Sequence, residues 1–178
     1  MNSNRSRFNL FLAAALALGL SCGCQSGKLK GPVTVLRLHM EASPGQTEFV
    51  VPVNVGRSMP VQILIEKSAF LDERDVADAA VVDQNGTFSL KLVLTRRGKW
   101  LLEQYSASNL GRRCAIFCHF GTAKSAVSRW LAAPQFTRII SDGVLVFTPD
   151  ATRAEAEQIV AGLRNVARQT AKERGPLD

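Results

Sequence analysis

The sequence is poor in the residues from which reactive sites are built. It holds two histidines, four cysteines, one tyrosine and two tryptophans in 178 residues. Cys22 and Cys24 lie at the end of an N-terminal apolar segment, which leaves Cys114 and Cys118 for the remainder. Four residues apart on one strand, these two would stand about 13 Å from each other, whereas a disulfide needs Cα atoms within about 7 Å. A mutual disulfide is excluded while that strand exists, and both are expected as small buried apolar side chains. Neighbouring strand residues point to opposite faces, so Cys118 and His119 are poor joint ligands, and no metal site is expected from them with His39. No Gly-x-Ser-x-Gly elbow, phosphate loop or His-Glu-x-x-His occurs. Asp72, Glu73 and Asp75 read as the first turn of a helix, favoured by its dipole, rather than as an acid/base pair. The chain is therefore expected to be non-catalytic and to carry no cofactor.

Long apolar runs are missing too. Phe8 to Leu20 is the longest, and it falls short of the roughly 20 residues that a membrane helix needs. With Arg5 and Arg7 before it, and small residues around a Cys after it, the segment from Met1 to Cys24 reads as a lipoprotein signal peptide. Cys24 follows Gly23 and precedes Gln25-Ser26, and it is the favoured lipidation site. Cys22, after Leu20-Ser21, is the alternative. The mature chain would then be anchored to a membrane without spanning it, each buried CH₂ of the acyl chains contributing about 0.8 kcal/mol. It would lie on the extracytoplasmic side of the cell envelope.

Negative charge is the scarcer sign. Lys and Arg number 22 against 15 Asp and Glu, a net charge of +7. Removing Arg5 and Arg7 leaves 7 − 2 = +5 on the side chains. Basic and aromatic residues do not interleave as a stacking platform requires, so no nucleic-acid partner is expected. Anionic lipid headgroups are the other natural partner of such charge.

After a short tether, residues 25–32, a single domain is expected over residues 33–175. Val33 to Met40 reads as a strand whose core face is Thr34, Leu36, Leu38 and Met40. Phe49 to Val55 reads as an edge strand, because Pro52 lacks a backbone donor, and Val61 to Glu66 as another strand. Leu71 to Asp78 suggests a two-turn helix. Ala79 to Val82 and Thr87 to Thr95 flank Asn85-Gly86, a strong hairpin signal. Phe88, Leu90, Leu92 and Leu94 alternate on the buried face. Thr95 can cap a helix carrying Trp100, Leu101, Gln104 and Tyr105, with Gly111 as its stop, and Cys114 to Phe120 returns as a strand. Ala123 to Ala133 fits either helix or strand. Thr137 to Thr148 suggests a hairpin or bent strand around Asp142-Gly143. Thr152 and Glu155 form a capping box for a helix with an apolar stripe of Ala156, Ile159, Val160, Leu163, Val166 and Ala167, ending near Gly175-Pro176.

These elements imply an α+β fold of ferredoxin-like split β-α-β units, with helices on one face of a mixed or antiparallel sheet. The order of several short stretches resembles the periplasmic domain of the SecD/SecF family. They are Asp75-Val76-Ala77-Asp78-Ala79, Thr95-Arg96-Arg97-Gly98, Gly111-Arg112, Ser125-Ala126-Val127, Ile140-Ser141-Asp142-Gly143, and Thr152 to Ile159. The resemblance covers roughly Val61 to Ala167. It departs at His119-Phe120-Gly121, where the family has Asp-Gly, and the family's membrane helices have no counterpart here. The resemblance implies a binding or assembly module that contacts exported polypeptides, Sec components or other envelope proteins. An exposed sheet edge such as the Pro52 strand would serve that contact. A secreted enzyme with a dispersed site and a purely structural lipoprotein are the alternatives.

Overall fold

Thr34, Leu36, Leu38 and Met40 alternate with Val33, Val35, Arg37 and His39, and that period of two decides where the core lies. The computed structural model describes residues 32–84, 86–122 and 125–174. In chain order the strands are β1 (Val35–Met40), β2 (Val50–Val55), β3 (Val61–Glu66), β4 (Leu71–Asp72), β5 (Val76–Gln84), β6 (Thr87–Leu94), β7 (Cys114–Thr122), β8 (Ser125–Ala132) and β9 (Val144–Phe147). The helices are α1 (Arg96–Ser108) and α2 (Arg153–Arg174), with a single 3₁₀ turn at Glu73–Asp75. The signal segment, the tether up to Gly31, Asn85 of the Asn-Gly turn and the Gly175-Pro176 stop lie outside the described residues.

The fold is α+β, and among the described residues every strand pairing is antiparallel. The strands form three sheets rather than one: β4-β1-β7-β8, β5-β6-β9, and a two-stranded ribbon, β2-β3. Leu36, Leu38 and Met40 of β1 face a core shared with Leu90 and Leu92 of β6 and with Ile116, Cys118 and Phe120 of β7. Burial of each large apolar side chain contributes about 1.5–3 kcal/mol. Helix α2 packs on β5 and β7, burying Ala156, Ile159, Val160, Leu163 and Val166, as its stripe foretells. Its capping box forms: Thr152 Oγ1 accepts from the Glu155 N–H at 3.2 Å, and the Thr152 N–H donates to the Glu155 carboxylate at 2.7 Å. The β5–β6 hairpin also forms, with Gln84 opposite Thr87 and Gly86 at a φ of 79°.

Three expectations are corrected. Leu71 to Asp78 is not a two-turn helix. Asp72 and Asp75 close a capping box around one 3₁₀ turn, and Val76 is already extended. The alternating run that follows belongs to a nine-residue strand, β5, which claims the segment for the sheet. Of Trp100, Leu101, Gln104 and Tyr105 on α1, Tyr105 packs on the core and stacks on Phe70 at 4.3 Å, but Trp100 is 59% exposed and Gln104 is exposed, and the fully buried positions are Gly98, Leu102 and Ser106. Two of these three, Gly98 and Ser106, are small, so the hydrophobic pattern misses them. Thr137 to Thr148 forms no hairpin; a single strand, Val144–Phe147, pairs with β6. The ambiguous segment before Pro134 is a strand, β8, beside β7.

Candidate binding surface

Two of the short sequence stretches meet at one buried joint. The Asp75 side chain is 1% exposed and accepts from the Arg97 guanidinium and from the Asp72 N–H, the latter at 3.2 Å. Its backbone carbonyl accepts from the Thr95 N–H at 2.8 Å. Thr95 Oγ1 caps α1 by accepting from the Gly98 N–H at 3.2 Å. The glycine at position 98 follows from this joint. A Cβ there would lie 2.7 Å from the Asp75 carbonyl oxygen, so only glycine lets the helix start against the 3₁₀ turn. Asp75, Thr95, Arg97 and Gly98 thus form a structural clasp between α1 and β5.

Gly111-Arg112 serves a second joint. The Arg112 guanidinium donates to the Glu41 carbonyl and to Asn109 Oδ1, and approaches the Glu66 carboxylate at 3.7 Å. The Arg113 N–H donates to the Glu41 carboxylate at 2.8 Å. Glu66 ends β3, so these contacts fix the root of the β2–β3 ribbon. The ribbon's tip is tied separately, by Arg57 Nε donating to Asp150 Oδ1 at 2.9 Å.

Between root and tip the ribbon lies across the outer face of the four-stranded sheet. Ile63 and Ile65 bury against Ala115, with Val51, Val53, Val55 and Trp130 around them. Trp130 meets His39 and Phe117 edge-on, at centroid distances of 5.4 and 5.3 Å. Period two then turns Val50, Pro52 and Asn54, paired with Glu66, Leu64 and Gln62, away from the sheet. Leu64 is 49% exposed on that outward face. One edge of β3 is partly covered, because Glu41 bridges Ile65 and the Ala42 N–H donates to the Leu64 carbonyl. Among the described residues β2 pairs with β3 alone and runs close to β8 without pairing with it, so its other edge makes no ladder hydrogen bonds, in line with the edge position expected from Pro52.

Phe49 stands at the ribbon's open end with its side chain 78% exposed. It is the one non-glycine at positive φ among the described residues, at 56°. Its carbonyl accepts from the Lys67 N–H at 2.8 Å, which holds it there. A bulky residue in the left-handed region costs about 1–2 kcal/mol. Sequence reasoning missed Phe49, since nothing in the local pattern marks a strained aromatic.

The other singled-out residues do not converge. Cys114 and Cys118 are buried free thiols on the core face of β7, and burial pushes the Cys118 thiol up to about 12 and that of Cys114 higher still. They are inert by that measure. His39 faces Ala115 and His119 faces Val35, four residues apart along β1. His39 Nδ1 lies 2.9 Å from the Glu66 carbonyl and His119 Nδ1 lies 2.7 Å from Ser128 Oγ. Burial holds His39 below its ordinary value of 6.5, against the raising effect of that carbonyl. Glu73 accepts from Arg37 and from the Leu36 N–H. Among the described residues no cluster of three metal-ligating side chains occurs. Asp78 is lowered by its hydrogen bond from Arg164. For Glu155, burial acts upward and is outweighed by the Thr152 backbone N–H and the Arg129 guanidinium. Cys22 and Cys24 lie outside the described residues.

No protein-family model and no curated protein matches the chain. Solved structures do. One is of a membrane component, SecDF, that enhances protein export; it aligns with a TM-score of 0.52 at 21% identity, over 78% of this chain and 65% of that one. SecDF in a super-membrane-facing form aligns with a TM-score of 0.54 at 21% identity, over 78% of this chain and 20% of that one. The chain therefore spans just under two thirds of the first and a fifth of the second. Over that 78% of its length the chain is a SecD/SecF-like domain in fold.

Proposed function

We propose that the chain is a non-catalytic module of the cell envelope, held at a membrane by acylation of Cys24, or of Cys22. Its β2–β3 ribbon takes up an extended segment of an exported polypeptide or of an envelope protein along the open edge of β2. The observation that carries this is the open edge beside an outward apolar strip of Val50, Pro52 and Leu64 that ends at Phe49. An added strand bonds main chain to main chain, so it binds without regard to much of its sequence. Pro52 removes one donor from that edge and limits runaway edge-to-edge pairing between copies. Strain retained at an exposed aromatic points the same way, since such strain persists where it serves a contact. The fold it shares with a protein that enhances export supports a transport-related role. The signal-like Met1–Cys24 supports an extracytoplasmic position. Asp78 and Glu155 are both lowered, which suits ion pairing better than proton transfer near neutral pH.

Phe49→Gly tests the ribbon. The variant is expected to gain about 1 kcal/mol of stability, because strain is relieved and little burial is lost. It is also expected to retain a carboxymethylated, permanently unfolded polypeptide about fivefold less well, as suits an exposed aromatic anchor. A more stable variant with undiminished retention would remove Phe49 and the ribbon from this role. The anchor is tested by intact mass after expression in a bacterium. Cys24→Ala is expected to lose the mass of the acyl chains. Loss in Cys22→Ala instead moves the site, and an unacylated parent protein ends the lipoprotein assignment.

A further inference from the structure

Helix α2 carries Arg164, Arg168 and Lys172 four residues apart, so they form one basic stripe along an exposed line of the helix. The bulge in β5 at Ala77 turns both Ala77 and Asp78 outward, and Asp78 accepts from Arg164 Nε at 2.8 Å. Between them lies an open cleft of about 670 Å³, lined by Pro32, Ala77, Asp78, Ala161, Arg164, Asn165 and Arg168. Pro32 is seated in it, its carbonyl accepting from Asn165 Nδ2 at 2.9 Å. The chain therefore joins the domain at the basic stripe.

We propose that this stripe is the face by which the domain lies on anionic phospholipid headgroups. Charge complementarity and the point of attachment both select a bilayer surface as the occupant. Each cation near an anionic leaflet multiplies surface affinity about fivefold. The small apolar floor of the cleft, Pro32, Ala77 and Ala161, offers no aromatic face on which a nucleobase stacks. The acidic groups around the stripe's helix are Asp78, committed to Arg164, Glu157 and Glu173 of the helix itself, and the Glu73–Asp75 turn that packs on it, whose carboxylates are committed to Arg37 and Arg97. Glu157 lies about 10 Å before Arg164 along the axis. The proposed contact does not depend on the ribbon, and it holds with or without acylation.

The test is the rate at which a membrane-impermeant maleimide alkylates Ala161→Cys in the full chain, followed peptide by peptide by mass spectrometry. Ala161 is exposed on the stripe, and Ala107→Cys, exposed on α1, is the reference. Vesicles of phosphatidylcholine alone are compared with equimolar phosphatidylcholine and phosphatidylglycerol. Anionic vesicles are expected to slow alkylation at position 161 at least about fivefold and to leave position 107 unchanged. Molar salt, which cuts the screening length to about 3 Å, is expected to restore the rate. So is Arg168→Gln with Lys172→Gln, whereas Arg113→Gln with Arg138→Gln, of equal charge change, is expected to leave the protection in place. Equal rates on both vesicle types would overturn the proposal, as would protection that survives the stripe variant. Protection by duplex DNA equal to that by anionic vesicles would overturn the lipid assignment. Flotation with the neutral vesicles reads the acyl anchor separately, so loss of the anchor and failure of the stripe are distinguishable.

Discussion

Gly162→Ala is expected to destabilise the protein by about 2 kcal/mol and to lower the thermal midpoint by about 6 °C. Propensity alone says the opposite, because alanine inside a helix is favoured over glycine by about 1 kcal/mol. Packing decides the sign. A Cβ at position 162 would lie 2.1 Å from Thr34 Oγ1 and 2.8 Å from the Thr34 backbone nitrogen. The hydroxyl could rotate, but the backbone nitrogen cannot, and Thr34 is only 1% exposed, so nothing around it yields cheaply. Helix α2 and the start of β1 would have to separate, at a cost of about 3 kcal/mol for an overpacked core. Adding Thr34→Ala is expected to recover part of the loss, since the backbone clash remains. A midpoint that rises in Gly162→Ala would show that the helix has room to shift.

Arg97→Met is expected to cost about 3 kcal/mol, more than Asp75→Asn at about 1 kcal/mol. The order is unusual because Arg97 is the more exposed partner: its side chain is 64% exposed and that of Asp75 is 1% exposed. An exposed arginine normally contributes less than about 1 kcal/mol to an ion pair. Here its loss strands a buried carboxylate with the Asp72 N–H as its remaining side-chain partner, at 3.2 Å. Asp75→Asn removes the charge itself and leaves an oxygen to accept from Asp72, while Arg97 turns to water. Chemical denaturation of the two variants compares the costs directly. Equal small losses would mean that the clasp is held by Thr95 and the close approach at Gly98, with little contribution from the charges.

Much of the fold was legible because period-two and helical stripes survive in the sequence. The core face of β1, the buried face of β6, the Thr95 cap and the capping box of α2 all follow from residue type and spacing. What was not legible depends on contacts between distant segments. The fully buried positions of α1 are Gly98, Leu102 and Ser106, and Ser106 is there because its hydroxyl accepts from the Ile140 N–H at 2.9 Å. No hydrophobic pattern announces such a contact. The acidic stretch at Asp72 to Asp75 carries helix signals, yet the long pairing of β5 with β6 outweighs them after one turn. The edge position of β2 was readable from Pro52, whereas the strain at Phe49 arises from the ribbon's closure and leaves no local mark.

The pairing of β1 with β7 sets the order in which this chain can fold. Val35 lies opposite His119, a separation of 119 − 35 = 84 residues, and among the described residues β1 has on its other side only the two-residue β4 as an earlier partner. The β5–β6 hairpin closes over a few residues and forms within microseconds of becoming available, whereas β1 must wait for the loop that brings β7 back. A chain made from its N-terminus therefore presents an apolar strand without its main partner until Cys114 to Phe120 has emerged. Residues 35–40 are thus among the segments left exposed during that time, and a truncation before residue 114 is expected never to leave that vulnerable state.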